Sequence, residues 1–323
     1  MILVISHEQD PHATTVVRHL QAAGQRVLLF NLSELPDRAT LSIEYDRGGR
    51  PQIDFERNDG TRFRLNDVAA VWWRRPQAPD LSAVTDPAIN LFTSNEWNEA
   101  INGLWQLLSG ARWMNNPVRD DAAGRKANQL RLAGEIGLQI PRTLITSDPT
   151  RVRAFLEACQ PAGAVFKTFS CTHAVWRETS RLSAEHFRQL DAVRIAPVIF
   201  QEFIPADCDL RITAVGGRLF PAAIRSKAGE ATIDFRLTVG QAEVTAVSLP
   251  REIEIHLLNL LDRLGLVYGA IDMRRTPDGE YYFFEVNTAG EFLFIEDRTG
   301  FPISKTIAEW LAGESLVSSP SES

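Results

Sequence analysis

Two carboxylates and an amide stand on two neighbouring apolar stretches near the C-terminal end of the chain. Asp272 lies within LVYGAIDMRR, while Glu285 and Asn287 lie two residues apart within YYFFEVN. Side chains on a strand alternate between two faces, so Glu285 and Asn287 are predicted to share one face, with Phe284 and Val286 on the other. The intervening TPDGE is a turn signal, so the two stretches are predicted to form a hairpin that brings the three polar side chains together.

Such an oxygen-rich cluster has a chemical interpretation and a simpler alternative. Mg²⁺ prefers carboxylate and carbonyl oxygens, and it binds such a site when phosphates supply further ligands. In the alternative, Asp272 and Glu285 form ion pairs with Arg274 and Arg275 at a strand end. These residues alone leave both interpretations open.

Lysine is rare in this chain, which has 34 basic residues and only four lysines. Lys126 falls in a predicted helix, and Lys167 ends the apolar part of a predicted strand. An ammonium group is a compact point charge that suits phosphate oxygens and that arginine does not replace. Taken singly, each lysine is more simply explained as a surface residue.

Further polar residues follow these lysines along the chain. The apolar strand VIFQEFI runs through Gln201 and Glu202, and the backbone of such a strand end can bind an adenine edge between apolar walls. Asp209 and Arg211 are predicted to share a strand face, with Arg225 on the paired strand. In chain order, the whole set supplies cations for phosphates and oxygen ligands for magnesium.

The elements that must position these residues are those of a mixed α/β chain. MILVIS, TTVVRHLQAAG and QRVLLFNLSEL predict a strand, a helix closed by Gly24 and a second strand, which favours a parallel sheet. The loop SHEQDPH has no glycines and is not a dinucleotide fingerprint. We interpret His7 and His12 in this loop as solvated residues. Antiparallel strands are predicted within 41–65, followed by the strand VAAVWWRRP.

Several helix ends are predicted from capping signals. One helix is expected to start at the capping box of Thr93 and Glu96 and to run to Gly110. A second, DDAAGRKANQLRLAGEIGL, is expected to be a single helix capped by Asp120 or Asp121, and a third to be capped by Ser147. The remaining predicted elements are the strands RWMNNP, IPRTLIT, AVFKTF, HAVWRET, PVIFQEFI, TIDFRLTV and AEVTAVSLP, the helices SAEHFRQLDAV and REIEIHLLNLLDRLG, and a hairpin around Gly216 and Gly217.

Composition narrows the class of protein. The chain has 323 residues, enough for about two domains, with 44% hydrophobic and 23% charged residues. We see no signal peptide and no apolar run of membrane length, so a cytoplasmic protein without a membrane partner is expected. Cys159, Cys171 and Cys208 lack CxxC spacing and are expected to be reduced thiols. The net charge of −7 argues against nucleic acid as a partner.

The order of these motifs and their local sequences resemble those of the ATP-grasp superfamily. Within it, the chain resembles the graspetide or microviridin-type maturases, which crosslink ribosomally made peptides. The stretches that carry the likeness are WWRRP at 72–76, NNP at 115–117, GLQIPRTLIT at 137–146, IFQEFIPADCDLRITAVGGRLFPAAI at 199–224, IDFR at 233–236, LGLVYGAIDMRRTPDGEYYFFEVN at 264–287 and IEDRTGFPI at 295–303.

This resemblance implies a fold and a domain organisation. The expected fold is α/β (α+β), an ATP-grasp fold preceded by a pre-ATP-grasp α/β domain. We expect the N-terminal domain at 1–117, a central ATP-grasp subdomain at 118–200, a C-terminal subdomain with the metal site at 201–313 and a disordered tail at 314–323. A homodimer is a further expectation.

The resemblance also implies cofactors and residue roles. ATP and Mg²⁺ are the expected cofactors, and ATP would phosphorylate a substrate carboxylate before an amine or hydroxyl attacks the acyl phosphate. The implied roles are phosphate binding by Lys126 and Lys167, adenine binding by Gln201, Glu202, Phe203 and Ile204, ribose contact by Asp207, orientation of Arg211 by Asp209, stabilisation of the acyl phosphate by Arg211 and Arg225, and magnesium binding by Asp272, Glu285 and Asn287.

A short acidic precursor peptide is the substrate that the resemblance implies. Arg74 and Arg75 are candidates for binding its carboxylates, with Arg236 as a further candidate, although Arg74 and Arg75 can equally be a salt-bridged strand end. The family usually has Pro-Asn-Gly-Gln-Trp after its Glu-x-Asn, whereas this chain has TAGEFLF, and its TFSCTHAVW has no glycine. A small-molecule carboxylate–amine ligase and a non-catalytic ATP-binding module are the alternatives, and the intact metal triad argues against the second.

Overall fold

The computed structural model describes residues 1–169, 179–226 and 242–314, which form a mixed α/β protein. The α/β class predicted from the sequence is confirmed. Predictions for Cys171, for Arg236, for the strand TIDFRLTV, for most of HAVWRET and for the tail from 315 onward lie outside the described residues. Among the residues described, no helix combines the length and the apolar character that a membrane crossing requires.

The N-terminal region contains a parallel sheet and a small antiparallel sheet. In the parallel sheet the order is β2-β1-β6-β7, and in the antiparallel sheet it is β3-β4-β5. The elements of this region are β1 (Ile2–Ile5), α1 (Pro11–Ala22), β2 (Val27–Phe30), β3 (Ala39–Tyr45), β4 (Pro51–Arg57), β5 (Arg62–Arg64), β6 (Ala70–Trp73), α2 (Pro87–Leu107) and β7 (Arg112–Met114). The β-α-β opening is therefore confirmed, with β1 and β2 parallel.

Two helices begin at residues other than the predicted caps. Helix α2 starts at Pro87, because the side chain of Asp86 accepts hydrogen bonds from the backbone of Ala88 and Ile89. The capping box predicted at Thr93 is wrong, since this residue lies inside the helix. The later helix α5 (Pro149–Ala158) is capped by Asp148 and not by Ser147. In both helices an Asp supplies the cap, and the Pro directly after it is the first helical residue.

The single helix predicted around Lys126 is two helices. Helix α3 (Pro117–Ala123) is capped by Asn116, and α4 (Lys126–Glu135) follows after Gly124 and Arg125. The prediction of Asp120 or Asp121 as the cap is wrong, because the amide oxygen of Asn116 takes that role one position before the proline. The break makes Lys126 the first residue of α4.

A central four-stranded sheet has the order β10-β9-β11-β8. Its elements are β8 (Thr143–Thr146), β9 (Ala164–Lys167), β10 (Ser180–Arg181), α6 (Ala184–Arg188) and β11 (Val198–Glu202). On one face, Leu144, Phe166 and Phe200 belong to the apolar cluster that includes residues of α5. Because strand side chains alternate, Lys167 and Gln201 point to the opposite face.

A C-terminal five-stranded antiparallel sheet has the order β14-β13-β12-β15-β16. Its elements, and the helices around it, are β12 (Cys208–Val215), β13 (Arg218–Arg225), β14 (Glu243–Ala246), α7 (Arg251–Leu264), β15 (Tyr268–Arg275), β16 (Tyr281–Asn287), α8 (Leu293–Thr299) and α9 (Ile303–Ala312). Both predicted hairpins, β12–β13 and β15–β16, are confirmed.

The two faces of this C-terminal sheet have different neighbours. One face packs on α4 and α7 through Leu210, Ile271 and other apolar side chains. The other face joins the N-terminal region in one apolar cluster, in which Tyr268 lies with Trp72 and with Ile307 of α9. The polar side chains of β12 and β15 thus lie beside an interface with the N-terminal region.

Candidate active site

Asp272 and Glu285 lie directly opposite each other on β15 and β16. A β-bulge follows Asp272 and breaks the simple alternation along β16, so that Phe283 and Val286 both pack into the apolar cluster under α4. The predicted pairing of Phe284 with Val286 on one face is therefore wrong. The bulge places the carboxylate of Asp272 opposite that of Glu285, which confirms the predicted closeness of the polar side chains of the hairpin.

Two lysines from separate elements approach the carboxylate of Glu285. Nζ of Lys126, at the start of α4, donates a hydrogen bond to Oε2 of Glu285. Nζ of Lys167, at the end of β9 in the central sheet, lies 4.0 Å from the same oxygen. Lys126 of α4, 159 positions from Glu285, and Lys167 of the central sheet thus form one charged cluster with Glu285, which a surface-residue interpretation of the lysines does not explain.

A buried amide places Lys126 beside Glu285. The side chain of Gln129, one turn along α4, donates to the carbonyl of Val286 at 2.9 Å and accepts from the backbone N–H of Val286 at 2.8 Å. This pair of hydrogen bonds fixes α4 against β16. Gln129 was missed from the sequence, although a glutamine on the buried side of a helix, three residues after a candidate lysine, was the available signal.

The structural alternative for the two carboxylates, ion pairing with Arg274 and Arg275, is wrong. Arg274 donates to Asp209 at 2.8 Å and to the carbonyl of Ile204 at 2.9 Å. Arg275 donates two hydrogen bonds to Asp207. Both arginines therefore pair with residues that lie before β12 or at its start.

Arg211 is held between Asp272 and the backbone of Glu291. Its Nη1 donates to Oδ1 of Asp272 at 2.8 Å, and its Nη2 donates to the carbonyl of Glu291 at 3.1 Å. Burial opposes the charge, but the Asp272 carboxylate outweighs it and raises the pKa of Arg211 above its ordinary value. The prediction that Asp209 orients Arg211 is wrong, because Asp272 and Glu291 hold this guanidinium.

Arg225, at the end of β13, and Asp207, directly before β12, are both partly exposed. Nη2 of Arg225 is 3.6 Å from Oδ2 of Asp207, and Arg275 donates to that oxygen at 2.5 Å. The hydrogen bond from Arg275 lowers the pKa of Asp207. Asp207 is thus a fixed anion between two arginines, and its contact with a ribose stays a prediction.

The four residues predicted to bind adenine lie at and after the end of β11. Gln201 is buried and donates to Oγ1 of Thr143 at 3.0 Å, while Oε1 of Glu202 accepts from the backbone of Arg142. Phe203 and Ile204 are buried. The set forms a strand end with an apolar lining, and its role in nucleotide binding stays a prediction.

The arginines of the WWRRP motif have different environments. The side chain of Arg74 has 0% exposure and is bound by Asp10 and by the carbonyls of Ala289 and Gly290. A direct contact between Arg74 and a peptide is therefore excluded by burial. Arg75 is 38% exposed and donates to Glu291 at 2.9 Å, so a peptide can reach it.

His12 is also buried, which corrects its interpretation as a solvated loop residue. It lies in the first turn of α1 and packs edge-on against Phe292. Burial, followed by the nearby Arg74, lowers the pKa of His12 to about 4. Its imidazole is therefore neutral near pH 7, as a core residue requires.

A cavity of about 180 Å³ opens beside Glu285, the carboxylate that Lys126 contacts. Its lining residues are Gly124, Lys126, Gln129, Glu285, Val286, Asn287 and Thr288. Two opposed carboxylates and a nearby amide are hard oxygen donors that fit Mg²⁺, and the adjacent ammonium groups fit phosphates. The arrangement is therefore suited to phosphoryl transfer.

Comparisons with known proteins agree with this chemistry. Residues 1–121 match the profile of the MvdD pre-ATP grasp domain, and residues 123–311, more than half of the chain, match that of the RimK-like ATP-grasp domain. A curated relative from Vibrio atlanticus (strain LGP32), a probable alpha-L-glutamate ligase, is 24% identical over 209 residues, covering 63% of this chain and 68% of that protein.

Solved structures match over nearly the whole chain. The macrocyclase MdnC from Microcystis aeruginosa MRC, bound with precursor peptide MdnA, is 30% identical with a TM-score of 0.85, covering 97% of this chain and 99% of MdnC. The RiPP-associated ATP-grasp ligase from Chryseobacterium gregarium, in complex with ADP and a leader and core peptide, is 28% identical with the same TM-score and covers 97% of each chain. This chain therefore belongs to the RimK-like ATP-grasp family and is an ATP-grasp ligase with an MvdD-type pre-ATP-grasp domain.

Proposed function

We propose that this ligase activates Asp or Glu side chains of a short acidic ribosomal precursor peptide as acyl phosphates and converts them to macrocyclic esters or amides. The observation that carries the proposal is the convergence of Lys126, Lys167 and Arg211 on the opposed carboxylates of Asp272 and Glu285. The choice of a peptide is supported by the near-complete overlap with a macrocyclase that was solved with its precursor peptide.

In the first step, an oxygen of the substrate carboxylate attacks the γ-phosphorus of ATP, and ADP leaves. Lys126 and Lys167 bind the phosphate oxygens and reduce the repulsion between them and the incoming carboxylate. Asp272, Glu285 and Asn287 would hold Mg²⁺, which would supply further charge neutralisation at the phosphates. When nucleotide enters, the lysines exchange part of their interaction with Glu285 for phosphate.

In the second step, a peptide amine or hydroxyl attacks the carbonyl carbon of the acyl phosphate. The attacking group loses its proton, and inorganic phosphate leaves as the amide or ester bond forms. Arg211 and Arg225 stabilise the charge that develops on the oxygen atoms of this centre. Arg211 is suited to this role because Asp272 and the Glu291 carbonyl fix its orientation before the substrate arrives.

Co-expression with a short reading frame that lies beside this gene and encodes an Asp- and Glu-rich peptide, where one is found, tests the proposal. Each crosslink is a condensation driven by phosphoryl transfer, so the peptide mass is expected to fall by about 18 Da per bond. Mass spectrometry before and after digestion gives the number and the position of the crosslinks. An unchanged peptide mass, together with ADP formation from ATP in the presence of free amino acids, favours a small-molecule carboxylate–amine ligase.

Replacing Lys126 or Lys167 with alanine is expected to weaken ATP binding by about ten- to a hundredfold, the cost of one charge-assisted hydrogen bond. Each change removes one cation from the cluster at Glu285 and leaves the hydrophobic core intact. Titration calorimetry with a non-hydrolysable ATP analogue gives the affinity. Lys305→Ala is the matched control, since Lys305 is exposed on α9 and lies near Glu309. A wild-type affinity for ATP in both variants would show that the two lysines are surface residues that do not bind the nucleotide.

Arg75 is proposed as the contact for a peptide carboxylate at the rim of the site. Its partner Glu291 is 58% exposed and occupies the guanidinium that a substrate carboxylate would bind. Glu291→Gln is therefore expected to lower the KM for the peptide by a few-fold, and Arg75→Gln to raise it, since exposed ion pairs contribute about 0.2–1 kcal/mol. Steady-state kinetics with varied peptide measures both. A higher peptide KM in Glu291→Gln contradicts the competition between the two carboxylates.

Other sequence-based expectations are part of this proposal. We propose the division into domains at 1–117, 118–200 and 201–313, with Arg236 as a further substrate contact. The cytoplasmic location, the homodimer and the absence of a nucleic-acid partner stay predictions.

A further inference from the structure

We infer that Arg74 is a positioning residue for Arg211, and that it acts through the backbone of residues 289–291. The inference rests on the proposed role of Arg211 at the acyl phosphate. It assigns to the N-terminal region a direct part in shaping the reaction centre of the C-terminal sheet. Three observations, one at each link of the chain of contacts, carry it.

The first link is a buried ion pair in the N-terminal region. The side chains of Arg74 and Asp10 both have 0% exposure, and Nε of Arg74 lies 3.1 Å from Oδ2 of Asp10. Burial favours the neutral carboxyl, but Arg74 and the Ser6 hydroxyl outweigh it and lower the pKa of Asp10. A buried charge is costly unless it is paired and hydrogen-bonded, so this pair holds Arg74 in a fixed orientation.

The second link joins Arg74 to the segment after the metal-site strand. Nη1 of Arg74 donates to the carbonyls of Ala289 at 2.5 Å and Gly290 at 2.9 Å. The hydroxyl of Tyr268 donates to the Gly290 carbonyl at 2.7 Å. Because these contacts are made to backbone oxygens, they do not depend on the side chains by which TAGEF departs from the usual family sequence.

The third link joins this segment to the proposed reaction centre. The carbonyl of Glu291 accepts from Nη2 of Arg211 at 3.1 Å. A Cβ added to Gly290 would lie 2.3 Å from Cβ of Ala270 and 2.6 Å from Nη2 of Arg211. Glycine is therefore required here for a close approach, and Nη2 of Arg211 lies beside Gly290 as well as the Glu291 carbonyl.

A fixed segment fixes the guanidinium that it contacts. Arg211 is held at one end by Asp272 and at the other by the Glu291 carbonyl, and Arg74 holds the two residues before that carbonyl. Loss of the Arg74 contacts lets the segment shift, and a displacement of about 1 Å at a reacting group can cost about a hundredfold in rate. ATP binding depends on other residues and is expected to persist.

The test uses Arg74→Lys, which keeps the buried charge for Asp10 but cannot form the same fork of hydrogen bonds. The assay is ADP release from Mg-ATP in the presence of the precursor peptide that co-expression identifies. We expect kcat to fall by about 10- to 100-fold with little change in the KM for ATP. Arg57→Lys is the matched control, because Arg57 also pairs with a buried carboxylate, Glu34, far along the chain from the segment.

A double-mutant cycle separates positioning from general destabilisation. If Arg74 acts through Arg211, then adding Arg74→Lys to Arg211→Lys costs little beyond the loss from Arg211→Lys alone. Two outcomes overturn the inference. One is a loss of kcat in the double variant equal to the product of the losses in the two single variants, and the other is a wild-type kcat in a folded Arg74→Lys protein. If Arg74→Lys does not fold, Gly290→Ala tests the same link from the segment side, and an unchanged kcat there overturns it as well.

The same experiment distinguishes failure of the proposed function. Wild-type protein that does not crosslink the peptide refutes the proposed function before any variant is compared. A wild-type kcat in Arg211→Lys removes the role of Arg211, and with it the positioning role of Arg74, while crosslinking by the wild-type protein still stands.

Discussion

Replacing Asp272 with asparagine and Glu285 with glutamine together is expected to lower kcat by more than about a thousandfold. The two carboxylates face each other across β15 and β16, and Lys126, Lys167 and Arg211 contact them. Their neutral replacements are nearly the same size, so packing is preserved while the negative charge that attracts Mg²⁺ is lost. Crosslinking of the co-expressed peptide and ADP release at varied Mg²⁺ measure the effect.

The matched control carries the same change of charge on the same hairpin. Asp278 and Glu280 lie in the exposed turn between β15 and β16, so Asp278→Asn with Glu280→Gln is expected to retain wild-type kcat. Turnover at the wild-type rate in Asp272→Asn with Glu285→Gln contradicts the magnesium assignment. Retention of activity only at high Mg²⁺ supports it, since a weakened metal site is filled by mass action.

The hairpin at the centre of the site was predictable because its determinants are local. The turn TPDGE and the apolar runs on either side define it, and the closeness of Asp272 to the polar residues of β16 follows. The exact pairing of Asp272 with Glu285 does not follow, because the register from Arg275 and Tyr281 onward would otherwise place Phe284 opposite Asp272. The bulge after Asp272 was not predictable, because it depends on how Phe283 and Val286 fit under α4. Alternation along one strand says nothing about the shape of the helix that covers it.

Helix ends were less predictable where several capping signals lie close together. The stretch from Asn116 to Asp121 contains three residues that can cap a helix, and the one before the proline caps α3. The position of Lys126 depends on which residue caps α3 and on the break at Gly124. In one continuous helix, the side chain of Lys126 would point in a different direction relative to β16 than it does at the start of α4. Local propensity does not decide between such competing signals. The hydrogen bonds of Gln129 with the backbone of Val286 fix the position of α4, and they cannot be predicted from the local sequence.

The environment of Arg74 could not be predicted at all from its neighbours in the sequence. Its contact at Gly290 lies 216 residues away, and Asp10 comes from a different loop of the N-terminal sheet. Tryptophan-rich strand ends with two arginines are consistent with either a binding surface or a buried contact. The two arginines in fact divide these roles, because only Arg75 of the pair is exposed.

Replacing Arg211 with lysine is expected to lower kcat by about 10²- to 10³-fold, the usual loss when one preorganised donor to a developing oxyanion is removed. Lysine keeps the positive charge, but a single ammonium group cannot hold both Asp272 and the Glu291 carbonyl in the geometry of the guanidinium fork. The proposed phosphate contacts belong to Lys126 and Lys167, so the affinity for ATP is expected to change little.

Single-turnover kinetics distinguishes the step that Arg211→Lys affects. With ATP and peptide mixed at once, slow formation of ADP indicates loss at acyl-phosphate formation. Rapid formation of ADP with slow release of inorganic phosphate indicates loss at the second attack. Arg218→Lys, at the start of the adjoining strand β13, is the control for a conservative change in the same sheet. Wild-type kcat in Arg211→Lys contradicts a role at the acyl phosphate. If the affinity for ATP falls and saturating ATP restores the wild-type rate, Arg211 is assigned to nucleotide binding instead.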